Sequence, residues 1–263
     1  MRITALLENE TEREDMLTEH GLSLYIETEN HKILFDMGQS CLFAENAAAL
    51  GIDLSTVDMA VLSHGHYDHG GGLKTFLGIN RKAPIYLNRH AFEPHYHGTE
   101  KYIGLDTALA DNERLIFTDD TTVLAQGLTL YACAKKEPAK QQHNPESSGL
   151  NVLENGKFLP EDFRHEQYLL VEEQGKKVLF SGCSHKGILG IADRFRPDVL
   201  IGGFHFSKLP LDDTLKSFAE YLGTFHTEYY TCHCTGKEQF KFMKHHMPCL
   251  HYLSCGQSIE LFG

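Results

Sequence analysis

The ten residues Ser63–Gly72 read Ser-His-Gly-His-Tyr-Asp-His-Gly-Gly-Gly and follow directly on the apolar run Met59–Leu62. His64, His66, Asp68 and His69 are crowded into this one turn. Zinc and similar borderline cations take imidazole nitrogen and carboxylate oxygen, so this is ligand chemistry at ligand density. Residues two apart on an extended backbone point the same way, so His64 and His66 can share one ion. Asp68 and His69 fall past the turn and reach a second ion nearby. Gly65 and Gly70–Gly72 are expected to bend the backbone tightly and to keep side chains out of the site. The chain has 17 histidines, so some clustering arises by chance. Four ligand groups at this spacing, after a buried-strand signal, nevertheless define a metal site.

The rest of the chain repeats that rhythm. Apolar runs end in His-bearing turns at His64, at Cys183 and His185, at His205 and at His233. Ligands in α/β proteins gather beyond the carboxyl ends of strands, where loops converge. Strand runs paired across residues 29–31 and 173–175 read as hairpins. Residues 42–50, 73–77, 212–222 and 237–246 have helical spacing. Arg114–Thr118 and Leu128–Ala132 read as strands of a second sheet. Ala91–Asn112 lacks a clear period and reads as an extended loop or lid. Residues 135–164, with Pro138, Pro145 and Pro160, read as a linker or a functional loop over the site. Two packed sheets flanked by helices, in one domain spanning residues 1–263, follow from this pattern.

Composition removes several classes. The 24 basic and 36 acidic residues give a net charge of −12, so there is no footprint for nucleic acid. A local basic pocket could still hold one phosphate. Seven cysteines, an odd number, are scattered without a disulfide framework. The start Met1-Arg2-Ile3-Thr4-Ala5 does not read as a signal peptide, and no apolar run approaches a membrane span. A reduced, cytoplasmic protein with no membrane contact is the expectation.

His-x-His-x-Asp-His after a strand resembles the metallo-β-lactamase superfamily, which includes lactamases, glyoxalase II, RNase Z-type nucleases and flavodiiron proteins. Phe180–His185, Gly202–His205 and Cys232–Gly236 resemble the subfamily of dihydropterin–ribofuranosylaminobenzene 5′-phosphate synthase-like hydrolases. Glu19–Ser23 and Leu34–Gly38 fit it too. The resemblance covers nearly the whole chain. It implies an α/β fold, the four-layer αββα sandwich, with the site at one edge.

The resemblance also implies further ligands. The superfamily supplies a second-metal histidine late in the chain, at the place of His233. Cys232 and Cys234 read as buried thiols bracketing it. Cys183 stands where glyoxalase-like members carry a bridging aspartate and one lactamase subclass carries a cysteine ligand. His185, two residues on, can complete the first metal and is favoured over His165 and His143. Metal ligands are therefore expected at His64, His66, Asp68, His69, Cys183, His185 and His233, holding two Zn2+ ions, with Fe or Mn as alternatives. His205 is expected over the metals as a general acid, Asp36 behind a ligand histidine, and Glu19 and His20 at the mouth. Lys186 and Lys237 offer cations for a phosphate.

The implied chemistry is a metal-dependent hydrolase. A metal-bound hydroxide, oriented by Asp68, would attack a small ester-type substrate such as a phosphate ester. The alternative is the synthase chemistry of the subfamily label, joining a pterin to an aminobenzene ribose phosphate. A redox di-iron protein or a non-catalytic binding module fits less well.

Overall fold

The computed structural model describes residues 1–132 and 149–262. In chain order, β1 (Arg2–Leu7), β2 (Ser23–Glu27) and β3 (Lys32–Phe35) form an antiparallel meander. Helix α1 (Leu42–Ala49) then crosses to β4 (Met59–Val61), parallel to β3. The metal motif follows, with the single turn α2 (Tyr67–Gly70) inside it and α3 (Leu73–Ile79) behind it. Strand β5 (Ile85–Asn88) continues the parallel half. Short strands β6 (His95–His97) and β7 (Lys101–Tyr102) leave the sheet, and β8 (Leu115–Thr118) rejoins it beside β5.

The second half mirrors the first. Strands β9 (Thr121–Ala125) and β10 (Leu128–Ala132) precede β11 (Leu150–Glu154) and β12 (Lys157–Pro160). The hairpin β13 (Gln167–Glu173) and β14 (Lys176–Ser181) leads through α4 (Ile188–Phe195) to β15 (Val199–Gly202). Helix α5 (Asp213–Leu222) connects to β16 (Glu228–Thr231), and α6 (Lys237–Lys244) to β17 (Leu250–Tyr252). Strand β18 (Ser258–Glu260) closes onto β1. The large sheets run β18-β1-β2-β3-β4-β5-β8 and β17-β16-β15-β14-β13-β10-β9; a small one runs β12-β11-β6-β7.

Period-two alternation explains the layering. Leu24 and Ile26 on β2, and Val178 and Phe180 on β14, face the core between the large sheets. Their neighbours Tyr25 and Leu179 face outward, Tyr25 with Phe43 of α1 and Leu179 with Leu215 of α5. Each central strand is apolar on both faces because both faces are covered, giving the four-layer αββα arrangement.

The parallel halves matter for function. Parallel neighbours need crossover helices, so β3, β4, β14, β15 and β16 all deliver their carboxyl ends to one edge. Asp36, His64, Cys183, His205 and His233 lie just beyond those ends.

Three expectations need correction. β8 belongs to the first large sheet and not the second, because it continues the parallel run beside β5. Ala91–Asn112 is not one extended loop: it holds β6 and β7. Of the polar stretch 135–164, residues 135–148 lie outside the described residues, and the rest is no linker: it holds β11 and β12, which pair with each other and with β6 to make the small sheet. These strands are two to five residues long, β7 and β12 exposed and β11 mostly half-buried, so they carry little apolar alternation. His143 lies outside the described residues.

Candidate metal centre

Asp36, at the end of β3, organises the motif. Its Oδ1 accepts the Ser63 backbone N–H at 2.7 Å, and its Oδ2 accepts the Ser63 hydroxyl at 2.7 Å. The same Oδ2 lies 2.7 Å from His69 Nδ1. A carboxylate only accepts, so His69 carries its proton on Nδ1 and keeps its Nε2 lone pair free. The Ser63 hydroxyl, having donated to Asp36, accepts from His64 Nδ1 at 2.9 Å. His64 Nε2 is therefore also a bare lone pair, and it is buried without a hydrogen-bond partner. Asp36 thus acts as the acceptor behind a site histidine, the role read from the sequence, and through Ser63 it fixes a second one.

His233 follows the same logic from the other sheet. Its Nδ1 lies 2.8 Å from Asn9 Oδ1, an oxygen that also accepts the Gly21 N–H. That leaves His233 Nε2 as an acceptor, 3.2 Å from His69 Nε2. Cys183 Sγ is 3.1 Å from His69 Nε2. Asp68 Oδ2 lies 3.4 Å from His233 Nε2 and 3.8 Å from His69 Nε2. Lone pairs aimed at one another repel unless a cation or proton lies between them. Without an ion, a proton on His69 serves: burial opposes it, but Asp36 and Asp68 lift this imidazole above its usual range. Burial would raise Asp68, yet His69, His20 and His233 hold its carboxyl well below the usual range.

Among the described residues four donor groups emerge, each with ligand atoms within 4.8 Å of one another; two of them share His233 and merge, leaving three sets. His69, Cys183 and His233 form one, overlapped by His20, Asp68 and His233; His64, Cys183 and His185 form another. His66 falls in the third, with His95, Glu161 and His165. All seven sequence-derived ligands are buried in one cluster. Cys183 sits between the first two sets, which suits its place beside both metal positions. The His66 ring centroid lies 4.6 Å from that of His64 and 5.0 Å from that of His185. Burial pushes the Cys183 thiol well up, so only a bound cation would make it a thiolate ligand.

The choice between His185 and His165 turns on tautomers. His165 Nδ1 accepts the Gly65 N–H at 2.8 Å, so a neutral His165 carries its proton on Nε2. That nitrogen faces Glu161 Oε1 at 3.4 Å. Neither His165 nitrogen then has a lone pair to give. Both ring nitrogens of His185 are buried and bare, and the ring is stacked on Phe163 at 4.5 Å. The chemistry favours His185.

Other residues fall into place around these. Glu166 accepts the backbone N–H groups of His185 and Lys186 at 2.7 and 3.0 Å; Glu8 accepts that of His233 at 2.5 Å. Neither was singled out in the sequence, although both are acidic residues at the end or start of a buried strand. Cys232 and Cys234 are buried, as expected. Asp36, Ser184, His205 and His233 are four of the nine non-glycine residues with positive φ among those described. Such backbone costs about 1–3 kcal/mol each and clusters where function demands it.

The motif glycines serve close approach more than bending, since none of Gly65, Gly70, Gly71 or Gly72 has positive φ. A Cβ at Gly65 would lie 2.1 Å from the Ala91 carbonyl oxygen, and one at Gly72 would lie 2.2 Å from that of Met37.

Above the ligands lies a cleft of about 320 Å³, walled by His20, His97, Lys101, His205, Ser207 and Lys208, with Asp68, Cys183, His185 and His233 below. His20 Nε2 reaches Asp68 at 3.2 Å. Glu19 instead accepts the backbone N–H groups of Gln39 and Ser40. Lys186 and Lys237 are not among the cleft's residues, and Lys237 pairs with Glu10 at 2.9 Å; the cations here are Lys101 and Lys208. Burial pushes His205 down to about 4.

A parallel-edged αββα sandwich with this histidine-rich edge is the architecture of a metal-dependent enzyme class, and sequence comparison agrees. Residues 18–222 match the model of the metallo-β-lactamase superfamily, to which the chain belongs. The 7,8-dihydropterin-6-methyl-4-(β-D-ribofuranosyl)-aminobenzene-5′-phosphate synthase of Methanocaldococcus jannaschii is 30% identical, covering 92% of this chain and 90% of its own. An uncharacterized protein of the same organism is 27% identical, covering 88% and 90%. The crystal structure of Tm1679, a metal-dependent hydrolase of the β-lactamase superfamily, superposes with a TM-score of 0.82 at 30% identity over 99% of both chains. Among the described residues, no helix is long and apolar enough to cross a membrane.

Proposed function

We propose that this chain is a cytoplasmic hydrolase with two zinc ions that cleaves a small, phosphorylated ester-type substrate. The observation that carries the reading is the set of fixed tautomers. Asp36 and Asn9 hold the buried His64, His69 and His233 with their Nε2 lone pairs bare, and His233 lines a cleft that carries Lys101 and Lys208. His64, His66 and His185 would hold one ion; Asp68, His69, Cys183 and His233 would hold the other. The ions would supply a water acidic enough to act as a nucleophile near pH 7 and would polarise a carbonyl or phosphoryl oxygen.

The chain's own residues do the rest. Asp68, an acceptor at the cleft floor, would orient such a water by accepting a hydrogen bond from it. Lys101 and Lys208 neutralise a phosphate, which also fits a chain whose net charge of −12 disfavours nucleic acid. His205 is neutral at pH 7 by itself, and a bound anion raises its pKa so that it can protonate a leaving group. The likeness to Tm1679 supports hydrolysis, and the two large sheets sharing one core support a single domain.

The synthase reading is the second one, supported by the M. jannaschii relative's name. Reaction in H2(18)O separates them. Zn2+-, Co2+- and Mn2+-loaded protein would be offered phosphoesters, lactones and thioesters, and products analysed by mass spectrometry. Hydrolysis places one (18)O in a product; turnover that joins two substrates without it favours the synthase. His205→Ala should lose about 10²–10⁴-fold in kcat while keeping both metals. Loss of a metal equivalent would instead make His205 a ligand.

A further inference from the structure

The third donor set stands apart from the metal positions just assigned. His95 comes from β6 and Glu161 follows β12, so the small sheet brings them together beneath His66. All four members are buried: His66 is 4% exposed, His95 and His165 0%, and Glu161 8%. Glu161 Oε2 lies 2.8 Å from His95 Nδ1, so His95 donates from Nδ1 and has a bare Nε2. His165 donates from Nε2 toward Glu161 Oε1, because its Nδ1 accepts from Gly65. The Nε2 atoms of His66, His95 and His165 are all buried without a hydrogen-bond partner. That of His165 carries the proton, because its Nδ1 accepts from Gly65, so the nitrogens of this set still open to a lone pair are Nε2 of His66 and Nε2 of His95.

Two lone pairs are too few to cage a further cation tightly, but they suit one shared proton. His66 lines the cleft, and its buried nitrogen is Nε2, which leaves Nδ1 for the cleft side. An imidazole that gives Nδ1 to a cation must carry its proton on Nε2. The neighbouring imidazole able to accept it is that of His95, whose ring centroid lies 5.6 Å away and whose Nε2 is bare. The two nitrogens are not hydrogen-bonded in this structure, and a small rotation of either ring would join them. We propose that Glu161 and His95 are positioning residues that receive the Nε2–H of His66 and thereby hold its Nδ1 lone pair toward the first metal. The chain runs from the Glu161 carboxylate through the His95 imidazole to the His66 imidazole. It gives the small sheet a purpose, and it gives Glu161 a countercharge: a buried carboxylate is costly until a cation at the far end of the chain compensates it.

This inference rests on the metal centre proposed above, so metal binding is measured directly and not through activity. Apo protein would be titrated with Zn2+ against a chromophoric chelator, and with Co2+ while following its visible d–d bands. If wild-type protein binds no metal, the proposed function falls, and the relay with it. If it binds two ions, Glu161→Gln and His95→Ala should each weaken one of them by about 10–100-fold, leave the other unchanged and shift only one set of Co2+ bands. His95→Gln, whose amide oxygen can still accept from His66, should recover part of the loss. In a His66→Ala background, Glu161→Gln should have no further effect on metal affinity. Unchanged affinities and bands, with only thermal stability lost, would overturn the relay in favour of packing. A third Zn2+ equivalent in wild type that Glu161→Gln removes would make the cluster a metal site of its own and would also overturn it.

Discussion

Asp36→Asn is the sharpest probe of the hydrogen-bond logic, because it changes one oxygen to nitrogen and almost nothing else. Asp36 is fully buried at φ 59°, a backbone region that asparagine tolerates well, so the fold should survive. If the amide oxygen keeps the Ser63 N–H, the amide NH2 then faces the Ser63 hydroxyl and His69 Nδ1. Both contacts are 2.7 Å in the native protein, and in both the native oxygen is the acceptor. A donor there forces His69 to accept on Nδ1 and carry its proton on Nε2. It likewise turns the Ser63 hydroxyl toward His64 Nδ1, which moves the His64 proton to Nε2. One substitution therefore removes a lone pair from each metal position. Loss of a partner behind a ligand histidine costs about 10–100-fold in metal affinity, or about 1.4–2.7 kcal/mol, at each position. Chelator competition reads both affinities, and long-range ¹⁵N–¹H correlation of the imidazoles reads the tautomers. Retention of both affinities within threefold, or of Nδ1-protonated His64 and His69, would refute the argument.

His185→Ala should lose one of two bound metal equivalents, whereas His165→Ala should keep both; the reverse pattern in elemental analysis would transfer the ligand role to His165. In chelator, stability should fall with acidity. Burial holds His165 down to about 4 and His233 to about 3, both below the roughly 6.5 of an exposed imidazole. The unfolded chain then takes up protons first, so this stability is whole above about pH 6.5 and drains as pH falls to about 4 and then 3, by a few kcal/mol per group. His69, raised by Asp36 and Asp68 against its burial, works in the opposite sense and offsets part of that loss. Urea unfolding between pH 7 and 4.5 checks the sum, and a flat profile would contradict it.

The site was legible where ligands follow strands. His64, Cys183, His205 and His233 each succeed an apolar run, and that adjacency in sequence became adjacency in space because parallel strands end on one edge. What stayed hidden depends on contacts across long sequence separations. Asn9 meets His233 from the other end of the chain, and Glu161 meets His95 across 66 residues. No local pattern announces such a pair. The strands that bring Glu161 and His95 together were missed for a different reason: they are short, and apolar on neither face consistently. The tautomer that disfavours His165 was equally invisible, since it depends on one backbone N–H, that of Gly65.

The buried acids explain why so much of the apparatus lies behind the ligands. Asp36 holds His69 directly and His64 through Ser63. Glu8 and Glu166 hold the backbone N–H groups of His233 and His185, and Glu161 holds His95. Each turn that presents a ligand is thus anchored by a carboxylate that faces away from the cleft. Four buried acids around these imidazoles carry negative charge wherever they are ionised. Burial raises Glu8 and Glu166, the two that lean chiefly on backbone and tyrosine donors. Against burial, His165 and His95 hold Glu161 low. Water is excluded from all of them, so the missing positive charge has to arrive at the ligand atoms they orient. Divalent cations at the positions proposed between His64, His185, His69 and His233 would supply it. The same acids that make the empty arrangement costly fix the imidazoles for the ions that relieve it.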